Sequence, residues 1–128
     1  MTGGTSSGVT ARNARNRRAG ARWQTDLRNG LRDAGLDVER LALAGREDEG
    51  DHVVRLAGGL YVVLEAKAGA MHPAEFVREA DVEAANFATH RGLNPALVTG
   101  VAVVKRRGAN WRDAYVLTTL RRYFGLDA

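Results

Sequence analysis

Gly50-Asp51-His52-Val53-Val54-Arg55-Leu56-Ala57-Gly58-Gly59-Leu60-Tyr61-Val62-Val63-Leu64-Glu65-Ala66-Lys67 is the stretch whose reading decides the fold. A short apolar run, a Gly-Gly pair that accepts positive φ, and a longer apolar run predict a β-hairpin. The second run is β-branched and aromatic, and it ends abruptly in Glu-Ala-Lys. Alternation along a strand puts Tyr61, Val63, Glu65 and Lys67 on one face and Leu60, Val62, Leu64 and Ala66 on the other. Both faces are apolar until the last three residues, which suits a central strand covered on each side. A carboxylate and an ammonium at the end of such a strand are costly unless they are paired, bind a metal or do chemistry. Asp51 opens the partner strand and can bring a second carboxylate to the same end. Asp, Glu and Lys converging there make a candidate site for a hard divalent cation and an activated water.

Upstream of the hairpin, Trp23, Leu27 and Leu31 recur every four residues and predict a helix over 18–34, with Gly35 as its cap. Trp23 belongs to that apolar stripe and is expected in the core. Gly30, inside the helix, costs about 1 kcal/mol relative to alanine. Residues 36–44 read as a strand, with Val38 on one face and Leu41 and Leu43 on the other. Glu47, Asp48 and Glu49 fall in a polar loop and are expected to be solvated. Residues 1–17 hold almost nothing to bury and read as a disordered basic arm, with an N-terminal extension of the next helix as one alternative.

Downstream, Pro73 and Gly92 frame a second helix whose stripe is Phe76, Ala80, Ala84, Phe87 and Ala88. Glu75, Asp81 and Glu83 are expected on its solvated outer face. Residues 97–104 form a further apolar strand, parallel to the hairpin's second strand if the helix is a crossover. A basic turn, a last strand over 113–118 and a short helix after Thr119 complete the order α-β-β-β-α-β-β-α. This is an α/β fold with a mixed β-sheet flanked by helices, and residues 18–128 form a single domain.

The chain of 128 residues is long enough to bury a core without staples, and it has no cysteine, which excludes disulfides and thiol chemistry. Its three histidines, His52, His72 and His90, lack the close pairing of a zinc helix motif and read as structural or surface residues. No apolar run approaches the roughly 20 residues that span a bilayer. No secretory h-region opens the chain, so an intracellular protein is expected. The net charge is +4. Arg12, Arg15, Arg17, Arg18 and Arg22 form one basic block, and Lys105, Arg106 and Arg107 form another. Solvated tails and turns explain most such runs. Here they flank an acidic candidate centre, a combination that points to a nucleic-acid partner.

Asp51, followed fourteen residues later by Glu65-Ala66-Lys67 closing a hydrophobic strand, resembles the signature of PD-(D/E)XK nucleases. The run from Gly20-Ala21-Arg22-Trp23-Gln24 through Gly35-Leu36-Asp37-Val38-Glu39-Arg40 is similar, without a gap, to the opening of archaeal and phage-type Holliday junction resolvases. A late Trp111-Arg112 before a strand extends the likeness over most of the chain from Arg18 onward. The resemblance implies a restriction-endonuclease-like core and a Mg²⁺-dependent endodeoxyribonuclease, with Mn²⁺ able to substitute. Asp51, Glu65 and the main-chain carbonyl of Ala66 would hold the metal, and Lys67 would position water or stabilise developing charge. The arginine block and Lys105 to Arg107 would contact phosphates of a four-way junction, with a homodimer nicking opposed strands. Trp111 is a candidate exposed or dimer-facing aromatic. A cytoplasmic, nucleoid-associated place is expected, and the small size fits a phage or mobile element.

One departure stands out. The family has a Glu in the first helix where the match places Gln24, which keeps an oxygen but loses a charge. Asp26, two positions along, lies about 200° around the axis and cannot take over that role in this register. Two rival readings follow: a restriction-like or repair nuclease acting on other DNA, or a catalytically decayed DNA-binding module. The plainest alternative for Glu65 and Lys67 is a surface ion pair worth little.

Overall fold

The computed structural model describes the backbone of residues 3–41 and 52–126, and the side chains in those ranges from residue 14 onward except Asn16. Asp51, Leu43, Glu47, Asp48 and Glu49 lie outside the described residues. The elements are α1 (Gly3–Asp33), β1 (Asp37–Arg40), β2 (His52–Leu56), β3 (Leu60–Lys67), α2 (Pro73–Arg91), β4 (Val98–Val104), β5 (Tyr115–Leu117) and α3 (Leu120–Phe124). Their order is the one the hydrophobic periods predict.

One five-stranded sheet runs β1-β2-β3-β4-β5. β2 and β3 form the hairpin in antiparallel register, with His52 opposite Leu64 and Leu56 opposite Leu60. The connection needs its glycines, since Gly58 and Gly59 sit at φ of 80° and 76°, a region where a Cβ is strained. β3 and β4 are parallel, Lys67 lying beside Val104, because α2 carries the chain back between them. β1 and β5 pair antiparallel at the two edges.

The sheet is covered on both sides, as the two apolar faces of β3 require. Trp23 and Leu27 of α1 pack on Val38, Val54, Leu64, Val101 and Val103. Ala84, Phe87 and Ala88 of α2 pack on Leu41, Val53, Val63 and Val98, and Phe76 lies on Ala102 and Val104. Pro73 begins α2, and Gly92 ends it in the left-handed conformation at φ 64°. α2 also approaches β4 closely: a Cβ on Gly100 would sit 2.2 Å from the Ala80 carbonyl oxygen.

Three expectations change. Residues 3–17, read as a disordered arm with an extension of the next helix as the alternative, belong to α1. Glu83 is not on a solvated face; it is 6% exposed, because it flanks the stripe of Ala80, Ala84 and Phe87 that faces the sheet. Trp111 is half-buried against the α1 side of the core. Its indole covers Gly30, where a Cβ would come within 2.4 Å of the ring, and this contact explains the glycine inside α1.

Candidate active site

The C-terminal end of β3 brings the charged residues together. Glu65 and Lys67 share the α2-side face of the strand, and α2 begins just beyond it. The Glu65 side chain is 10% exposed and that of Lys67 21%, with Lys67 Nζ 3.4 Å from Glu65 Oε1. This pair is therefore not the solvated surface pair that the tripeptide alone allows. Lys67 Nζ also donates a hydrogen bond to Glu79 Oε2 of α2 and lies 5.2 Å from the centroid of the Phe76 ring. Burial works against the charged lysine. The hydrogen bond to Glu79 and the charges of Glu65 and Glu79 outweigh it, so the Lys67 pKa lies above the usual lysine value.

A cleft of about 500 Å³ opens beside this pair, lined by Lys67, Glu79, Glu75, His72, Phe76 and Ala19 of α1 among others. A neighbouring recess joins Ala19 and Gly69 to Lys105 and Arg107. The second basic block reaches this end of the sheet through the backbone, since the Lys105 N–H donates to the Lys67 carbonyl at 2.9 Å. The block is not uniform. Arg106 stacks 5.0 Å from the centroid of Tyr115 and donates to the Asp113 carbonyl, so it folds back on the β4–β5 turn, while Lys105 and Arg107 line the recess. On α1, Arg15 and Arg22 stand four residues before and three after Ala19 and therefore on its side of the helix. Arg15, Arg17, Arg18 and Arg22 are all exposed. Arg12 lies in α1, and its side chain is outside those described.

Gln24 is tied to the same end of the sheet from the opposite side. Its main-chain carbonyl accepts a hydrogen bond from His52 Nε2 at 3.0 Å, which pins α1 to the start of β2. His52 is fully buried. Burial holds its pKa below the usual histidine value; the bond to Gln24 offsets part of this, and the charges of Arg28, Arg32 and Arg40 add to it. Trp23, next to Gln24, donates from its indole to the Val103 carbonyl at 3.1 Å. Asp26 instead lines a recess with Trp23, Asp33 and Trp111.

The donors at this end of β3, the Glu65 carboxylate and the Ala66 carbonyl, are oxygens and suit a hard divalent cation. Among the described residues no group of three or more His, Asp or Glu gathers around a metal position; Asp51 lies outside them. Sequence reasoning missed Glu79. The signal was present: Glu75, Glu79 and Glu83 stand four apart along one side of α2.

No family model matches this sequence, and no curated protein matches it. Among solved structures the chain is similar to that of Archaeoglobus fulgidus Hjc, a Holliday junction resolvase from an archaeal hyperthermophile. The identity is 25%, over 70% of this chain and 71% of that one, with a TM-score of 0.46. Among the described residues, no helix is long and apolar enough to cross a membrane.

Proposed function

We propose that the chain is a divalent-metal-dependent endodeoxyribonuclease that cuts branched DNA, with four-way junctions as its substrate. The observation that carries this is the buried Glu65 beside Lys67 at the end of a central strand, with Lys67 lining a cleft and Lys105 and Arg107 in the recess next to it. Glu65 and the Ala66 carbonyl, with Asp51, would hold Mg²⁺ or Mn²⁺. A cation there supplies positive charge that polarises a phosphate and acidifies a water. The Lys67 ammonium would hydrogen-bond the attacking water or a non-bridging phosphate oxygen as charge develops.

Arg15, Arg18 and Arg22 on α1, with Lys105 and Arg107, would grip phosphates and not base edges, so recognition rests on the shape of the branched backbone. α1 has 31 residues, about 46 Å at 1.5 Å each, long enough to carry these arginines along a duplex arm. A pair of subunits would cut opposed strands. Val116, Leu120, Tyr123 and Phe124 are 62–73% exposed beside the edge strand β5, an apolar surface of the kind that pairs two copies.

Gln24 favours one other reading, a DNA-binding module whose centre has decayed. Cleavage of a labelled four-way junction beside a linear duplex, with Mg²⁺ or with EDTA, separates the two. Symmetric nicks in the junction alone, abolished by EDTA, Asp51→Asn and Lys67→Ala, support the enzyme. Binding without cleavage under any divalent metal refutes it and leaves the module.

A further inference from the structure

Lys67 has two carboxylates within reach, and the nearer lies on a different element. Its ammonium donates to Glu79 of α2, whereas Glu65 Oε1 stands at 3.4 Å, longer than the roughly 2.7–2.9 Å of a strong charge-assisted bond. Phe76, one turn before Glu79 on the same helix, closes the third side with its ring face. The Glu79 side chain is 36% exposed and reaches the ammonium from the cleft side. Glu75, one turn earlier, lines the same cleft, and Glu83, one turn later, is buried. Of the three carboxylates spaced four apart, Glu79 is the one bonded to the lysine.

We propose that Glu79 is a positioning residue for Lys67: its shorter bond holds the ammonium toward the mouth of the cleft and limits its contact with Glu65 to the 3.4 Å pair. A lysine side chain has four rotatable carbons and a high rotamer entropy, so an ammonium needed at one place must be anchored. Without Glu79, the opposite charge left nearest to Lys67 is Glu65, two residues back on the same face of β3. Lys67 would close the existing 3.4 Å contact to a full bond, leave the reacting position and further neutralise a carboxylate that the site uses. The kinetic part of this inference rests on the nuclease reading; the structural part does not.

The test is made on the full-length chain. Selective observation of lysine ¹⁵Nζ groups by NMR near neutral pH is expected to show one exchange-protected ammonium, assigned by its loss in Lys67→Arg. Glu79→Ala is expected to lose that signal. Glu79→Gln keeps size and an acceptor oxygen without the charge, so it is expected to weaken the signal, and it replaces the alanine variant should that one fail to fold. On a four-way junction, Glu79→Ala is expected to lower kcat about 100-fold, the scale of a misplacement near 1 Å, with KM within twofold. A merely structural carboxylate would shift the melting temperature without this split. A Lys67 signal that persists unchanged in Glu79→Ala, or that is missing from the wild type, overturns the inference whatever the cleavage result. A signal lost in the variant while the wild type cuts no DNA overturns the nuclease reading and leaves Glu79 as the anchor of Lys67. Wild-type kcat in Glu79→Ala refutes the catalytic role.

Discussion

Replacing Gly100 by alanine tests how α2 is seated and, through it, the site. The added methyl carbon would stand 2.2 Å from the Ala80 carbonyl oxygen and 2.8 Å from its carbon. The shortest comfortable carbon–oxygen contact is about 3.3 Å, so α2 must recede by about 1 Å. Both obstacles are backbone and cannot swing aside as a flexible side chain would. Overpacking of this kind costs about 1–3 kcal/mol, while removing a glycine from a strand returns about 0.5–1 kcal/mol. Because the obstacles are backbone, the overpacking cost lies in the upper part of its range, about 2–3 kcal/mol. The net expectation is destabilisation by about 1–2.5 kcal/mol, a fall in melting temperature of roughly 3–12 °C for a domain of this size. Glu79 precedes Ala80, so the same displacement draws its carboxylate from Lys67, and junction cleavage is expected to fall more than the stability loss explains. Thermal and urea unfolding give the first number, and single-turnover cleavage well below the melting temperature gives the second. Gly20→Ala is the internal control. Nothing lies within 4 Å of its added Cβ, so helix propensity alone acts and stabilises by up to about 1 kcal/mol. A Gly100→Ala variant as stable as wild type would refute the claimed close approach of α2 to β4.

Gly30→Ala gains helix propensity yet pushes a rigid indole, since its Cβ would meet Trp111 at 2.4 Å; Trp111 is expected to leave its seat, and a tryptophan emission maximum unchanged from wild type would contradict that. His52 makes stability depend on pH in a definite direction. Its folded pKa lies below the unfolded value of 6.5, so its contribution is complete above about pH 6.5 and is lost as pH falls from there through the folded pKa. Urea midpoints at pH 7.5 and 5.5 are expected to differ in the wild type and to converge in His52→Gln; equal slopes in the two proteins would count against the buried neutral imidazole. Arg107→Ala is expected to weaken junction binding with a shallower salt dependence, whereas Arg106→Ala, whose guanidinium lies against Tyr115, is expected to change it less; equal losses would argue that the two arginines share one role.

Much of the architecture was legible in the sequence because it follows from short-range periodicity. The doubly apolar strand ending in Glu65-Ala66-Lys67 predicts cover on both faces, and the two glycines predict the turn before it. Pro73 and Gly92 bracket the crossover helix that makes β3 and β4 parallel. Each of these is a local rule, readable from neighbours two to four residues apart. So are the two faces of β3, which put Glu65 and Lys67 on the face of Tyr61 and Val63; that α2 covers this face comes from the packing.

Only the tertiary structure decided which of these residues meet. Glu79 and Lys67 are twelve residues apart, and Lys105 reaches Lys67 across thirty-eight. No period along the chain encodes either distance; both follow from seating α2 on the sheet and laying β4 beside β3. The same holds for Glu83, a charged residue that composition assigns to solvent and packing turns inward. Gly30 reads as a defect in a helix until Trp111, eighty-one residues later, is seen to lie on it. Periodicity says which face of an element is apolar, whereas a site is made where faces of separate elements converge, and that convergence is a property of the folded chain.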